Sequence, residues 1–140
     1  MNALTARDLM RTDFLTLRGD ARMDATIDLL LQESRSGKRP NIAVAIADGR
    51  FEGFVSLMSA LGALMAGKPD APVREFLLRE TPVLSPDDNL YKALSGVVAS
   101  KADAVPVMNG PELLGVVFLT DVFDHIVEEA LTDITFNPED

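Results

Sequence analysis

The sequence contains no cysteine. That excludes disulfides and any thiolate metal or redox site. It holds a single histidine, His125, so the common nucleophile–base pairs of covalent catalysis have few members to draw on. Ser34, Ser36, Ser95 and Ser100 stand in helical or loop contexts with no base at a telling spacing. The chain is therefore not expected to be an enzyme; hydrolysis of a nucleotide at Asp121 is a distant alternative. Positive charge is also scarce, with 13 Lys and Arg against 22 Asp and Glu and a formal net charge of −9. A nucleic-acid binder needs a basic face to displace counterions. The one basic run, Arg35-Ser36-Gly37-Lys38-Arg39, reads as a solvated loop. No apolar stretch approaches the roughly 18 residues of a membrane span. Met1 to Asp8 meets charge before any long apolar region, which is not a signal-peptide pattern. The expectation is a cytoplasmic protein with no nucleic-acid or membrane partner.

What the chain does have is a repeat. Arg7-Asp8-Leu9-Met10 returns as Arg74-Glu75-Phe76-Leu77, 67 residues later. At the same offset Leu17 meets Leu84 and Asp20 meets Asp87, while Met23, Ile27, Leu30 and Leu31 meet Leu90, Leu94, Val97 and Val98. The offset then falls to 62, where Gly53-Phe54-Val55-Ser56-Leu57 answers Gly115-Val116-Val117-Phe118-Leu119. A drift of this size between aligned blocks means loops of unequal length within one unit used twice. Two such copies can pack about a pseudo-twofold axis and leave two related clefts, each lined from both halves. At 140 residues with 47% hydrophobic composition, the chain can bury about two-thirds of its unfolded surface.

Each copy reads as β-α-β-β-α, an α+β class. A short amphipathic piece opens each (Ala6 to Met10, Val73 to Leu78), followed by a strand at Phe14 to Leu17 and at Pro82 to Leu84. Ser85-Pro86-Asp87-Asp88 reads as a helix start with Ser85 as N-cap, and Asp20 is its weaker counterpart in the first copy. Apolar residues at i, i+4, i+7 and i+8 then mark one core-facing stripe per helix. Strand pairs follow, joined through Asp48-Gly49 and through Asn109-Gly110-Pro111; both are hairpin signals. Final helices cover Met58 to Met65 and Thr120 to about Leu131. The copies are residues 1–66 and 73–131, joined by a Gly/Pro-rich linker at 67–72, with an acidic, frayed tail at 132–140.

This tandem order, with its Pro-Val strand, tight turn and Gly-Val-Val-x-x-x-Asp, resembles a pair of CBS domains, or Bateman module, over Leu4 to Leu131. The resemblance implies a stand-alone, bacterial-type regulatory protein that binds AMP, ADP, ATP or S-adenosylmethionine between the copies and requires no cofactor. The family signature places an apolar pair and a hydroxyl residue after the glycine, and an aspartate three residues further on. The carboxylate accepts ribose hydroxyls, and the hydroxyl and helix N-terminus suit a phosphate. Here the signature is split. Ser56 keeps the hydroxyl but Ser59 replaces the carboxylate; Asp121 keeps the carboxylate but Phe118 replaces the hydroxyl.

By the family pattern, the better site combines Asp121, Thr120 and Phe118 with Arg11, Thr12, Arg39, Asn41, Ile42 and Ala43, with Lys38 near. A second, degenerate site combines Ser56 and Ser59 with Ala104, Val105 and the Leu78-to-Thr81 segment, with Asp103 beside it to repel a phosphate. Bland readings stand beside these. Asp121 also suits a helix cap, Phe118 suits the core, and Asp121, His125 and Glu128 share a helix face that reads as solvated more readily than as a metal site. Leu57, Leu61, Leu64 and Met65, with Val122, Phe123, Ile126 and Val127, give the last helices apolar faces. These either pack internally or form a homodimer, as the family resemblance implies. The alternative function is a ligand-free pair used for dimerisation or for docking an unknown regulated protein.

Overall fold

The computed structural model describes residues 4–135, with side chains through residue 128. The chain runs α1 (Ala6–Leu9), β1 (Leu15–Leu17), α2 (Met23–Ser36), β2 (Ile42–Ala47), β3 (Arg50–Ser56), α3 (Leu57–Met65), a 3₁₀ turn (Val73–Phe76), α4 (Leu90–Ala99), β4 (Ala104–Asn109), β5 (Glu112–Phe118) and α5 (Leu119–Thr135). It forms one sheet in the order β1-β2-β3 and a second of β4 and β5. The expected α+β architecture of two repeats is present. Helix α5 runs four residues past Leu131, and Asn137 to Asp140 lie outside the described residues.

The strands read as near-continuous apolar runs because both of their faces are covered. Val44 and Phe54 of the first sheet meet Ala104, Val116 and Phe118 of the second, face to face. On the opposite faces, Ala43 and Val55 pack under α2 and α3, and Val105, Val107 and Val117 pack under α4 and α5. The layers are helices, sheet, sheet, helices. Asp48 and Gly49 both take positive φ, 51° and 74°, as a type I′ hairpin requires. In the second hairpin Asn109 ends β4 opposite Glu112, and Gly110 supplies the positive φ before Pro111.

The opening segments are exchanged between the repeats. Helix α1 belongs by sequence to the first copy, yet Ala6 N–H donates to the Asp88 carbonyl (2.7 Å) and Arg7 N–H to that of Pro86 (3.0 Å). Ala6 and Leu9 are buried with Leu84, Val97, Val105 and Val122 of the second copy. The 3₁₀ turn repays this in the other direction. Val73 N–H donates to Ala21 (2.8 Å), and Val73 is buried with Leu17, Met23 and Leu30. Each segment then crosses the last strand of the opposite copy. Arg11 exchanges both backbone hydrogen bonds with Val116 (2.8 and 3.0 Å), and Leu78 does so with Phe54 (2.8 and 3.0 Å). Gly115 and Gly53 precede those two strand positions. The linker is held too, with the carbonyls of Pro69 and Ala71 accepting from Asp24 and Met23.

Four local expectations are corrected. Pro82 to Leu84 is no strand; it makes one parallel bridge, Leu84 to Val107. Pro82 and Pro106 both lack the N–H that would extend the ladder seen between β1 and β2. Ser85 does not cap α4. Asn89 does, accepting from Lys92 N–H at 2.9 Å, while Asp88 folds back onto Ser85 N–H (2.7 Å). Asp20 does not cap α2, whose N-cap is Arg22 with no side-chain cap. In the helical stripes Met23, Ile27, Leu30 and Val97 are buried, but Val98 is exposed and Ala93 takes the inward position.

The crossings predict opposite effects for two glycine substitutions. A Cβ at Gly115 would stand 2.7 Å from Met10 Sδ and 2.9 Å from the Arg11 carbonyl oxygen. Gly115→Ala should therefore lower stability in urea unfolding by about 1–3 kcal/mol. Gly62, inside α3, has open space around it, so Gly62→Ala should raise stability by about 0.5–1 kcal/mol. Equal behaviour of the two variants would contradict the crossing geometry.

Candidate ligand site between the repeats

The crossing at Val116 sets Arg11 at the seam between the copies, opposite the first turn of α5. Its guanidinium donates Nε–H to Asp121 Oδ2 (2.7 Å) and Nη2–H to Oδ1 (2.8 Å). This is a bidentate ion pair with Arg11 38% and Asp121 19% exposed. The bond to Asp121 holds the Arg11 pKa above its ordinary value. The acidic residue also suits the positive end of α5. Two residues expected to contact a ligand separately thus contact each other.

Beside the pair lies a cleft of about 370 Å³ lined from both repeats. The first copy contributes Arg11, Lys38, Arg39, Asn41 and Ile42, and the second Phe118, Leu119, Thr120 and Asp103. The volume is within the range of small-molecule sites. Most of the expected better site is therefore assembled, with three departures. Asp121 does not line this cleft; it lines an adjoining cavity of about 250 Å³ with Leu9, Arg11, Asp124, His125 and Glu128. Ala43 is fully buried within β2, under α2 and α3, and Thr12 is exposed and lines neither cavity. Phe118 is core, 1% exposed in the layer between the sheets, and forms only a wall of the cleft.

Gly37, at positive φ, ends α2 and turns Lys38 and Arg39 toward the opening. Arg39 is engaged by acids from its own copy. It donates Nε–H to Glu33 Oε2 (3.0 Å) and Nη1–H to Asp13 Oδ1 (3.0 Å), with a second contact from Nη2 to Glu33. The hydrogen bond to Glu33, then that to Asp13, raises the Arg39 pKa further above its ordinary value. Lys38 has no ion pair among the described residues. Asp103 lies on this cleft and not beside the second site as expected, because the residues preceding β2 and β4, Asn41 and Asp103, approach the same opening.

The second site is not assembled. Ser56 and Ser59 cap α3 reciprocally, with Ser59 N–H donating to Ser56 Oγ (3.1 Å) and Ser56 N–H to Ser59 Oγ (2.9 Å). Val105 is fully buried, and the Thr81 hydroxyl donates to the Pro82 carbonyl (3.1 Å). The cavity on that side is lined by Leu77, Leu78, Arg79, Glu80 and Lys101; it includes Leu78 to Glu80 of the expected segment but not Ser56, Ser59, Thr81 or Val105. Asp121, His125 and Glu128 do share a helix face, but among the described residues no group of three stands ready to hold a metal ion. The Glu33–Arg39–Asp13 cluster escaped the sequence reading. Its only signal is opposite charge at either end of a basic loop.

Comparison with known proteins agrees with this architecture. Residues 73–128 match the CBS domain family. The solved CBS domain pair of protein MJ0100, in complex with 5′-methylthioadenosine and S-adenosyl-L-methionine, superposes with a TM-score of 0.77 at 14% identity, covering 91% of this chain and 99% of that one. A putative acetoin utilization protein from Vibrio cholerae gives 0.74 at 17% identity over 97% and 98% of the two chains. The cytosolic domain of the Mg²⁺ channel MgtE, in complex with ATP, gives 0.69 at 19% identity over 86% of this chain and 48% of that one. An uncharacterized 33.4 kDa protein in the ribosomal RNA operon of Thermofilum pendens is 28% identical over 88 residues, which is 63% of this chain and 29% of that protein. The second repeat matches the CBS domain by sequence, and the whole chain has the fold of a CBS pair. No helix among the described residues is long and apolar enough to cross a membrane.

The Arg39 cluster carries a pH signature. Its hydrogen bond holds the Glu33 carboxyl below the ordinary value of 4.5. A carboxyl lowered in the folded state contributes stability above that ordinary value and loses it as pH falls through the lowered one. Arg39→Gln should move the Glu33 midpoint upward in a carboxyl NMR titration and shrink the acid-side loss of stability. An unmoved midpoint would refute the pairing.

Proposed function

We propose that this CBS pair is a non-enzymatic regulatory module that binds an adenosine-containing ligand, such as AMP, ADP, ATP or S-adenosylmethionine, in the cleft at Arg11. The observation that carries the reading is the cleft's composition. Donors from Arg11, Lys38, Asn41 and Thr120 and apolar walls from Ile42 and Phe118 converge from both repeats. Apolar walls suit a base, and the cations with the first turn of α5 suit an anionic group, against the opposing charge of Asp103 on the same cleft. The fold relatives solved with ATP and with S-adenosyl-L-methionine support the ligand class. A ligand that touches both copies favours the inter-repeat angle it fits, and so shifts the population a regulated partner meets.

The test is a thermal-unfolding screen against AMP, ADP, ATP and S-adenosylmethionine. At about a hundred times its Kd, a ligand should stabilise the protein by roughly 2.7 kcal/mol, and Asp121→Ala should reduce the shift. No shift with any of them would turn the reading to docking alone.

The exposed apolar face of α3 favours that second role, either alongside ligand binding or in place of it. Met58 and Met65 are 77% and 90% exposed, Leu61 and Leu64 are exposed beside them, and Phe123 on α5 is 59% exposed. Val122, expected on that face, is instead fully buried; Leu57, Ile126 and Val127 are half-buried. We propose a homodimer through α3 and α5. Sedimentation should give twice the mass of the chain, and Leu61→Glu with Phe123→Glu should return it to monomer with its melting temperature little changed. A wild type that sediments as a monomer at high micromolar concentration refutes the dimer.

A further inference from the structure

We infer that Arg11 determines specificity in the cleft: it masks the Asp121 carboxylate and gives it up to a ligand that offers an anion in exchange. The inference rests on the adenosine reading and adds which adenosine compounds the site prefers. A ribose needs an acceptor for its hydroxyl protons, and the carboxylate suited to that role is already bound twice by Arg11, at 2.7 and 2.8 Å. Arg11 also forms the partition between the 370 Å³ cleft and the 250 Å³ cavity that holds Asp121. A sugar entering the cleft therefore meets guanidinium donors, and it reaches the carboxylate only when Arg11 swings aside.

That movement has a cost on both sides. The guanidinium loses a bidentate acceptor. Asp121 loses its cation on a cavity wall that it shares with Asp124 and Glu128. A ribose returns hydroxyl donors to Asp121 but brings nothing for Arg11. A phosphate in the cleft does, because its oxygens match the guanidinium fork as a carboxylate does. Lys38 also lines the cleft and offsets the carboxylate of Asp103 there, whereas Arg39 is held by Glu33 and Asp13; Arg11 is the cation left to meet a phosphate. Adenine nucleotides are thus selected over neutral nucleosides, and Arg11 is the selector.

Calorimetry with AMP and with adenosine on wild type, Arg11→Gln and Arg11→Lys tests this, with melting curves establishing that each variant is folded. Wild type should prefer AMP by about tenfold or more, the scale of hydrogen bonds to a charged group. Arg11→Gln should bring the ratio near unity, by weakening AMP and strengthening adenosine. Arg11→Lys should keep part of the preference. An unchanged ratio in Arg11→Gln overturns the inference. Inorganic pyrophosphate provides an independent arm. Asp121→Asn frees the guanidinium and should bind pyrophosphate severalfold more tightly than wild type; equal or weaker binding overturns the masking. Should wild type bind neither AMP nor adenosine, the adenosine reading fails, and with it the selectivity. The pyrophosphate arm still separates that outcome from a failure of the mask.

Discussion

Everything else in this molecule depends on two backbone crossings. Arg11 pairs with Val116 and Leu78 with Phe54, each through two hydrogen bonds, so the leading segment of each copy is stitched to the last strand of the other. Neither copy closes its own core. The helix layer over β4 and β5 is completed by Ala6 and Leu9, and the layer over β1 to β3 by Val73. Backbone groups that would otherwise be buried without partners find them only in the opposite repeat. The two repeats are consequently one folding unit, and a change at one seam is felt in both.

The crossing also explains why the candidate site lies where it does. Holding the backbone of Arg11 at Val116 delivers the Arg11 side chain to the N-terminus of α5. There it meets Asp121 across 110 residues of sequence. The same helix carries Phe123 outward, two residues from the pair. A rearrangement of Arg11 therefore acts on a helix whose other face is exposed and apolar. In the proposed regulatory role, occupancy of the cleft and presentation of that face would be coupled through this helix.

The fold was legible in the sequence because its signals are local and occur twice. Helical periodicity at Met23, Ile27 and Leu30, the Asp48-Gly49 turn and the unequal offsets each predict structure from a few neighbouring residues. Errors arose where a distant segment overrode the local signal. Ser85-Pro86-Asp87-Asp88 has the chemistry of a helix start, but the carbonyls of Pro86 and Asp88 are taken by α1, and the helix begins after Asn89 instead. Pro82 looked suited to open a strand, yet together with Pro106 it removes the donors such a strand needs. The candidate site was legible as a set of residues and not as an arrangement. Arg11, Arg39, Asn41, Ile42, Phe118 and Thr120 do meet at one cleft. Nothing in the order of residues showed that Arg11 covers Asp121, since that contact is made by the tertiary crossing.

The two seams share a backbone and differ in chemistry, and the difference is coordinated. The repeat offsets place Leu78 where the other seam has Arg11, and Ser59 where it has Asp121. Both members of the ion pair are absent together. An arginine alone would stand at the second seam without its carboxylate, and an aspartate alone would place an uncompensated charge beside a buried strand end. With leucine and serine, the second seam instead closes on itself. Leu78 makes its backbone bonds to Phe54, and Ser59 spends its hydroxyl on the cap of α3. One seam is thereby fixed by neutral groups, and the other is held by a bidentate charge pair between the repeats.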